Sequence, residues 1–165
     1  MKAIIPVAGH GTRLEPHSLV CQKCLLPVAG KPVLEHILDR LTASSITRIT
    51  LIIGPLGEQV REFCDTYSKV DFTFVEQTEQ LGLGHAVYQG LDNSEEPVVI
   101  VLGDSILDLD YKFFLSSNIS TFGVYKVPDP KRFGIVKLDG DRIIDVVEKP
   151  KNPPSNLALI GIYYI

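Results

Sequence analysis

The residues best suited to chemistry crowd into one loop. It reads AGHGTRLEPHSLVCQKCLLPVAGKP, from Ala8 to Pro32, and follows a short apolar run directly. Gly9 and Gly11 permit φ > 0 there, which lets successive backbone N–H groups point at an anion. Arg13 places a permanent guanidinium beside those amides, and Lys23 brings an ammonium to the same ligand. Two cations and a nest of amides suit a polyphosphate. The plainer reading, in which the glycines make a turn and the cations are solvated, stays open at this point. Two well-known loops fail. A P-loop needs Gly-Lys-Ser/Thr, which is absent. A dinucleotide fingerprint needs a third glycine where Leu14 stands, and an acidic residue at the second strand's end, where Gly54 and Pro55 stand.

Other groups stand further along. Asp104 follows the apolar run PVVIVL, where a carboxylate either takes a hard cation or caps a turn. Cys21-Gln22-Lys23-Cys24 is a C-x-x-C, but structural zinc wants four ligands, and only His17 and Cys64 are candidates nearby. A thioredoxin-like role would need the motif to open a helix after a strand. A Cys21–Cys24 disulfide that switches Lys23 off is a further hypothesis.

Alternating elements must position these groups. Lys2 to Val7 reads as a buried strand closed by glycine. Pro32 suits a first helical residue, and Val33, Leu34, Ile37, Leu38 and Leu41 recur at helical spacing up to Ser44 and Ser45. Arg48 to Ile53 predicts a strand, Glu58 to Tyr67 a helix with Val60, Phe63 and Cys64 inward, and Asp71 to Glu76 an alternating strand. Leu83 to Leu91 predicts a helix and Pro97 to Leu102 a strand. Thr121 to Lys126, Gly134 to Leu138 and Arg142 to Glu148 follow as strands, with Asp139 to Asp141 a tight hairpin. A last strand runs from Ala158 to Ile165. The pattern predicts an α/β sandwich, parallel at first and mixed later, with helices on both faces of the early strands.

Composition narrows the function. The 165 residues, 45% hydrophobic and 22% charged, fit one soluble globular domain. A net charge of -4 supplies no basic field for nucleic acid. No apolar stretch is long enough for a signal peptide or membrane span, and three cysteines suggest no disulfide framework. The expectation is a cytoplasmic protein.

The string Gly11, Thr12, Arg13, Leu14 and Pro16, then Lys23, Leu26, Pro27, Val28, Lys31 and Pro32, resembles the signature of sugar-1-phosphate nucleotidylyltransferases. Gln77 with GLGHA (Gly82 to Ala86) resembles the family's base-reading segment, and LGD (Leu102 to Asp104) its metal-binding strand end. FGIVKLD (Phe133 to Asp139), EKP (Glu148 to Pro150) and SNLALIGIY (Ser155 to Tyr163) fall in the family's order. The resemblance implies a Rossmann-like three-layer sandwich with a mixed, mostly parallel sheet, of the nucleotide-diphospho-sugar transferase type. It implies transfer of a nucleotidyl group from UTP or dTTP to glucose-1-phosphate, releasing pyrophosphate.

Roles follow from the same resemblance. Ala8, Gly9, Gly11, Thr12, Gln77 and Gly82 would bind nucleotide. Arg13 would face the leaving pyrophosphate, Lys23 the α-phosphate region, and Asp104 would hold Mg²⁺. Gln77, with a donor and an acceptor, can pair with the edge of uracil or thymine. Gly134, Glu148, Lys149, Asn156 and the backbone near Leu159 would form the sugar-phosphate pocket. His10 and His85 would be pocket walls, since this chemistry needs little proton transfer. The family usually carries a second metal-binding aspartate beyond EKP, so residues 1–165 are expected to be a C-terminally truncated single domain. Two rival readings remain: a nucleotide-sugar-binding regulatory module without turnover, and the same chemistry with CTP or GTP and another sugar phosphate. A homo-oligomer is compatible with each.

Overall fold

The computed structural model describes residues 1–9, 11–92 and 94–165, with Arg13 described through its backbone. The chain begins with β1 (Lys2–Pro6). The first loop is neither strand nor open coil: it winds through three short 3₁₀ turns, Thr12–Leu14, His17–Leu19 and Lys23–Leu25. A small hairpin of β2 (Pro27–Val28) and β3 (Lys31–Pro32) follows, then α1 (Val33–Ala43), β4 (Arg48–Ile53) and α2 (Gly57–Asp65). The remaining elements are β5 (Asp71–Glu76), α3 (Leu83–Gly90), β6 (Val98–Val101), α4 (Tyr111–Phe114), β7 (Thr121–Lys126), β8 (Gly134–Asp139), β9 (Arg142–Glu148) and β10 (Leu157–Tyr164).

The main sheet runs β5-β4-β1-β6-β10-β8-β9, with β7 also paired to β10. The pairs β5–β4, β4–β1 and β1–β6 are parallel. β10 opposes β6, β7 and β8, and β9 opposes β8. Only β9 and β10 therefore run against the rest, and the sheet is mixed but mostly parallel in strand direction. From β1 the chain moves outward through α1 to β4 and through α2 to β5, then crosses back by α3 to β6 on the other side of β1. Right-handed crossovers in opposite directions put helices on opposite faces. The core follows that rule. Ala3, Ile5, Ile49, Leu51, Ile53 and Val99 pack with Leu34, Ile37, Leu38 and Leu41 of α1 on one face. Ile4, Ile52, Val98 and Ile100 pack with Ala86 of α3 on the other. Burying each such valine, leucine or isoleucine side chain stabilises the fold by roughly 1.5–3 kcal/mol.

Three differences from the sequence reading have local causes. Pro32 caps α1 rather than beginning it: it pairs with Pro27 in the hairpin, and its ψ of 143° is extended. α2 stops at Asp65, because the next two amides close tight turns, Thr66 N–H onto Phe63 O and Tyr67 N–H onto Cys64 O. The short α4 carries little periodicity; it is fixed by the Asp110 carboxylate accepting from the Phe113 N–H at 3.0 Å. β5 keeps its predicted alternation because it forms one edge of the sheet. Among the described residues, no helix is long and apolar enough to cross a membrane.

Candidate active site

The reversal of direction beside β1 leaves a crevice at the carboxyl ends of β1 and β6, the place where open α/β sheets bind ligands. Here it is a cleft of about 240 Å³ lined by Val7, Gly9, Gly11, Lys23, Gly103 and Asp104 among others, with Leu83 at its edge. Close approach of the two strand ends depends on Gly103. A Cβ there would lie 2.4 Å from Val7 Cγ1 and 2.9 Å from the Pro6 carbonyl. Gly54 does the same at the end of β4, where a Cβ would sit 2.6 Å from the Ala8 carbonyl.

Into this crevice the first loop folds back. Gly11 has φ 64° and ψ 32°, a left-handed conformation that suits glycine, and a Cβ there would press on Lys23 Cβ at 3.3 Å. Gly11 thus lies close against the Lys23 side chain, although twelve positions separate them. Thr12 opens the first 3₁₀ turn and is exposed. The turn's first bond runs from Leu14 N–H to Gly11 O, so the amides ahead of it have no partner within the turn. His10 and the side chain of Arg13 lie outside the described residues.

Lys23 Nζ is ion-paired with Asp104 across the cleft. The two side chains keep 35% and 44% of their surface exposed. A pair this exposed contributes at most about 1 kcal/mol. Either member can therefore exchange its partner for a charged ligand at small cost. Asp104 stands at the end of β6 with its second oxygen near Ser105 Oγ at 3.4 Å.

Sequence reasoning missed the groups that hold Lys23. Gln22, only 4% exposed, donates from Nε2 to the carbonyls of Val7 at 2.9 Å and Pro55 at 3.3 Å. Its Oε1 accepts the Lys23 N–H at 2.7 Å. Gln59 of α2 accepts the Gln22 N–H at 2.8 Å and donates to Val20 O at 2.9 Å. A lone glutamine carries no spacing signal, so nothing in the sequence marks these. Lys31, part of the same string, lies with α1 instead, paired with Asp39 at 2.8 Å and Glu35 at 3.4 Å.

Of the 77–83 segment Leu83 lines the cleft, while Gln77 and Gly82 do not. Gln77 is buried, and its Nε2 faces the Gly82 carbonyl at 3.4 Å and His85 Nδ1 at 3.1 Å. That amide nitrogen is engaged within the protein, so two-point pairing to a base edge requires its release; Oε1 is the group left for a ligand. Gly82, with φ 98° and open space where a Cβ would stand, leads into α3. Gln80 straps this segment to the first loop through its Nε2 and the Ala8 carbonyl at 2.9 Å, a link with no sequence signal.

Gly134, Glu148 and Leu159 come together as a second cluster. A Gly134 Cβ would meet Glu148 Oε2 at 3.1 Å and Leu159 Cδ1 at 3.5 Å, and Gly134 is the register partner of Glu148. Lys149 pairs with Glu148 at 2.9 Å. Asn156 is exposed, and its carbonyl accepts from Val127 N–H at 2.9 Å. These residues do not line the Lys23–Asp104 cleft. β10 links the two regions, since a Gly161 Cβ would touch Ser105 Oγ at 2.9 Å, beside Asp104.

The three thiols, Cys21, Cys24 and Cys64, are free. Burial pushes Cys24 and Cys64 each up to about 12. Among the described residues no three His, Cys, Asp or Glu side chains gather as a metal site.

The same arrangement of chain recurs in known proteins. The chain is 37% identical to the bifunctional protein GlmU of Methanocaldococcus jannaschii, over 99% of its own length and 39% of the relative's. It is 36% identical to a glucose-1-phosphate thymidylyltransferase of Streptomyces antibioticus, over 99% of its length and 49% of the relative's. The chain thus spans less than half the length of these two relatives. The solved UDP-glucose pyrophosphorylase of Acinetobacter baumanii superposes with a TM-score of 0.82 at 26% identity, covering 99% of this chain and 73% of that one. The sequence profile of the nucleotidyl transferases matches residues 2–165. With the crevice, the folded-back loop and these matches in agreement, the chain belongs to the nucleotidyl transferase family.

Proposed function

We propose that residues 1–165 act as one nucleotidyltransferase domain that joins a nucleoside triphosphate to a sugar-1-phosphate, with release of pyrophosphate. UTP or dTTP is the proposed donor and glucose-1-phosphate the acceptor; relatives named for uridylyl and thymidylyl transfer to glucose-1-phosphate support this choice. The observation that carries the reading is the exposed Lys23–Asp104 pair spanning the crevice between β1 and β6.

In-line attack of a sugar phosphate oxygen on the α-phosphorus needs no covalent nucleophile; the protein must hold two repelling anions together and offset their charge. Lys23 can turn from Asp104 to a phosphate oxygen at small cost. Arg13 is given the leaving pyrophosphate, with Ala8, Gly9, Gly11 and Thr12 around the triphosphate. Gln77 and Gly82 are given the base, Oε1 of Gln77 accepting an N–H as uracil and thymine both offer. Gly134, Glu148, Lys149, Asn156 and Leu159 are given the sugar phosphate. Asp104 suits Mg²⁺: it is an exposed oxygen donor already facing one cation, and Mg²⁺ is commonly held by one or two carboxylates plus substrate phosphates. When bound there it would offset charge on the transferring phosphoryl group.

The test is pyrophosphate release from UTP, dTTP, CTP, GTP or ATP with glucose-1-phosphate and Mg²⁺. Release with UTP or dTTP, and its fall to a small residual rate in Lys23→Ala and Asp104→Asn, is the expected result. Nucleotide-sugar binding without release would favour a regulatory module, and release only with CTP or GTP would move the donor.

A further inference from the structure

We infer that Gln22 and Gln59 form an amide relay whose task is to position Lys23, so that the first loop, β1 and α2 act on the reaction through this one ammonium. The inference rests on the function proposed above. Its geometry is unambiguous about which amide atom faces where. The Val7, Pro55 and Val20 carbonyls can only accept, so both Nε2 groups must point at them. Both Oε1 atoms then face N–H groups, those of Lys23 and Gln22.

Together the two side chains fix Val20 O, Gln22 N–H and Lys23 N–H. The Lys23 carbonyl is fixed separately by the Leu26 N–H at 3.2 Å. The backbone of Lys23 is therefore tied at both its polar groups, and the ammonium can move only by side-chain rotation. Three anchor points carry the tie into the framework: Val7, the residue after β1, Pro55, in the loop after β4, and Gln59, on α2.

A buried glutamine is an expensive way to close a loop, because every unpaired polar atom carries a desolvation penalty. An aliphatic residue would fill the space but leave the Lys23 N–H and the Val7 and Pro55 carbonyls without these partners. What the amide adds is direction: it links the end of β1, from which the cleft opens, to the residue that crosses the cleft. Positioning of this kind is worth about 10²-fold in rate for a displacement of 1 Å.

The experiment compares Gln22→Met, Gln59→Met and Gln59→Glu, each alone and with Lys23→Ala. Met keeps the length and removes the polar atoms. Gln59 is only partly buried, so its variants fold even where Gln22→Met does not. Turnover is expected to fall about 10-fold to 10²-fold in each Met variant, with KM for the nucleotide changed by less than about 3-fold. Gln59→Glu keeps the acceptor for Gln22 N–H but sets a carboxylate oxygen against Val20 O, so it should recover only part of the rate. In the Lys23→Ala background the Met substitutions should cost nothing further, since they act through an ammonium already gone. Independently of turnover, Lys23 should react faster with trinitrobenzenesulfonate in Gln59→Met than in the parent, followed by mass spectrometry.

Losses that add to that of Lys23→Ala would show a purely structural role and overturn the inference. So would parental turnover in both Met variants, or an unchanged labelling rate at Lys23. Parental turnover in Lys23→Ala itself would instead overturn the proposed function, so the two failures are separable.

Discussion

Gly103→Ala tests the crevice with one methyl group. The added Cβ would stand 2.4 Å from Val7 Cγ1, whereas ordinary contact begins near 3.4 Å, so a separation of 3.4 − 2.4 = 1.0 Å must open. Val7 cannot simply swing away. It is β-branched and 6% exposed, and any rotation leaves the Pro6 carbonyl, a backbone atom, at 2.9 Å. The ends of β1 and β6 must therefore part, stretching the Gly103 N–H bond to Pro6 O from its present 3.3 Å. Overpacking of this kind costs about 1–3 kcal/mol. For a domain of this size that lowers Tm by roughly 2–4 °C per kcal/mol. Asp104 is the next residue, and a shift of about 1 Å against Lys23 should reduce turnover by about 10²-fold. Thermal melting by circular dichroism and pyrophosphate release measure the two effects. Parental Tm and rate in Gly103→Ala would refute the claim that the strand ends set the geometry of the Lys23–Asp104 pair.

Gly84→Ala is the matched control. A Cβ there meets nothing within 4 Å, and the position is helical, so stability should hold or rise by up to about 1 kcal/mol. Leu38→Ala on α1 removes a fully buried side chain facing the sheet and should cost about 2–5 kcal/mol in denaturant unfolding, with nucleotide preference unchanged. Thiol titration with Ellman's reagent at pH 8 should find Cys21 reactive in the native protein and all of Cys21, Cys24 and Cys64 reactive once unfolded. Burial raises Cys24 and Cys64 from 9.0 to about 12, so the stability they lend is complete below pH 9 and is lost as pH climbs from 9 towards 12. Unfolding measured across that range should show less loss in Cys64→Ala than in the parent.

Much of the framework was legible because burial on both faces leaves a strong signature. β4, β5, β7 and β9 fall on their predicted residues, β1 and β8 differ by one residue at one end, and β6 and β10 by one residue at each end. Runs such as RITLII and VVIV have few other places to go than a covered sheet. What was not legible is what local bonds decide. The three 3₁₀ turns of the first loop and the Pro27–Pro32 hairpin have no hydrophobic period, and they are held by single backbone bonds and by side chains from elsewhere in the chain. Strand order is legible only in part: alternation predicts parallel pairing, but β10 inserting between β6 and β8 depends on partners far apart in sequence.

The candidate site divides along the same line. Gly11 and Lys23 stood out by type and spacing, because a polyphosphate asks for an amide nest and a cation, whereas Asp104 alone reads equally as a turn cap and was singled out only by the family resemblance. Their convergence is a consequence of topology: β1 and β6 are neighbours only because α3 crosses back over the sheet. Gln22, Gln59 and Gln80 escaped notice for a physical reason. Each works by bonding to main-chain groups, and main-chain groups are the same at every residue, so the partner leaves no mark in the sequence. Residues that meet a ligand are constrained in type by that ligand's chemistry; residues that hold them are constrained only by geometry. The second kind can be found by asking which buried polar side chains spend all their hydrogen bonds on the backbone of a neighbour. In this chain that question leads to Gln22, and through it to the lysine on which the proposed chemistry turns.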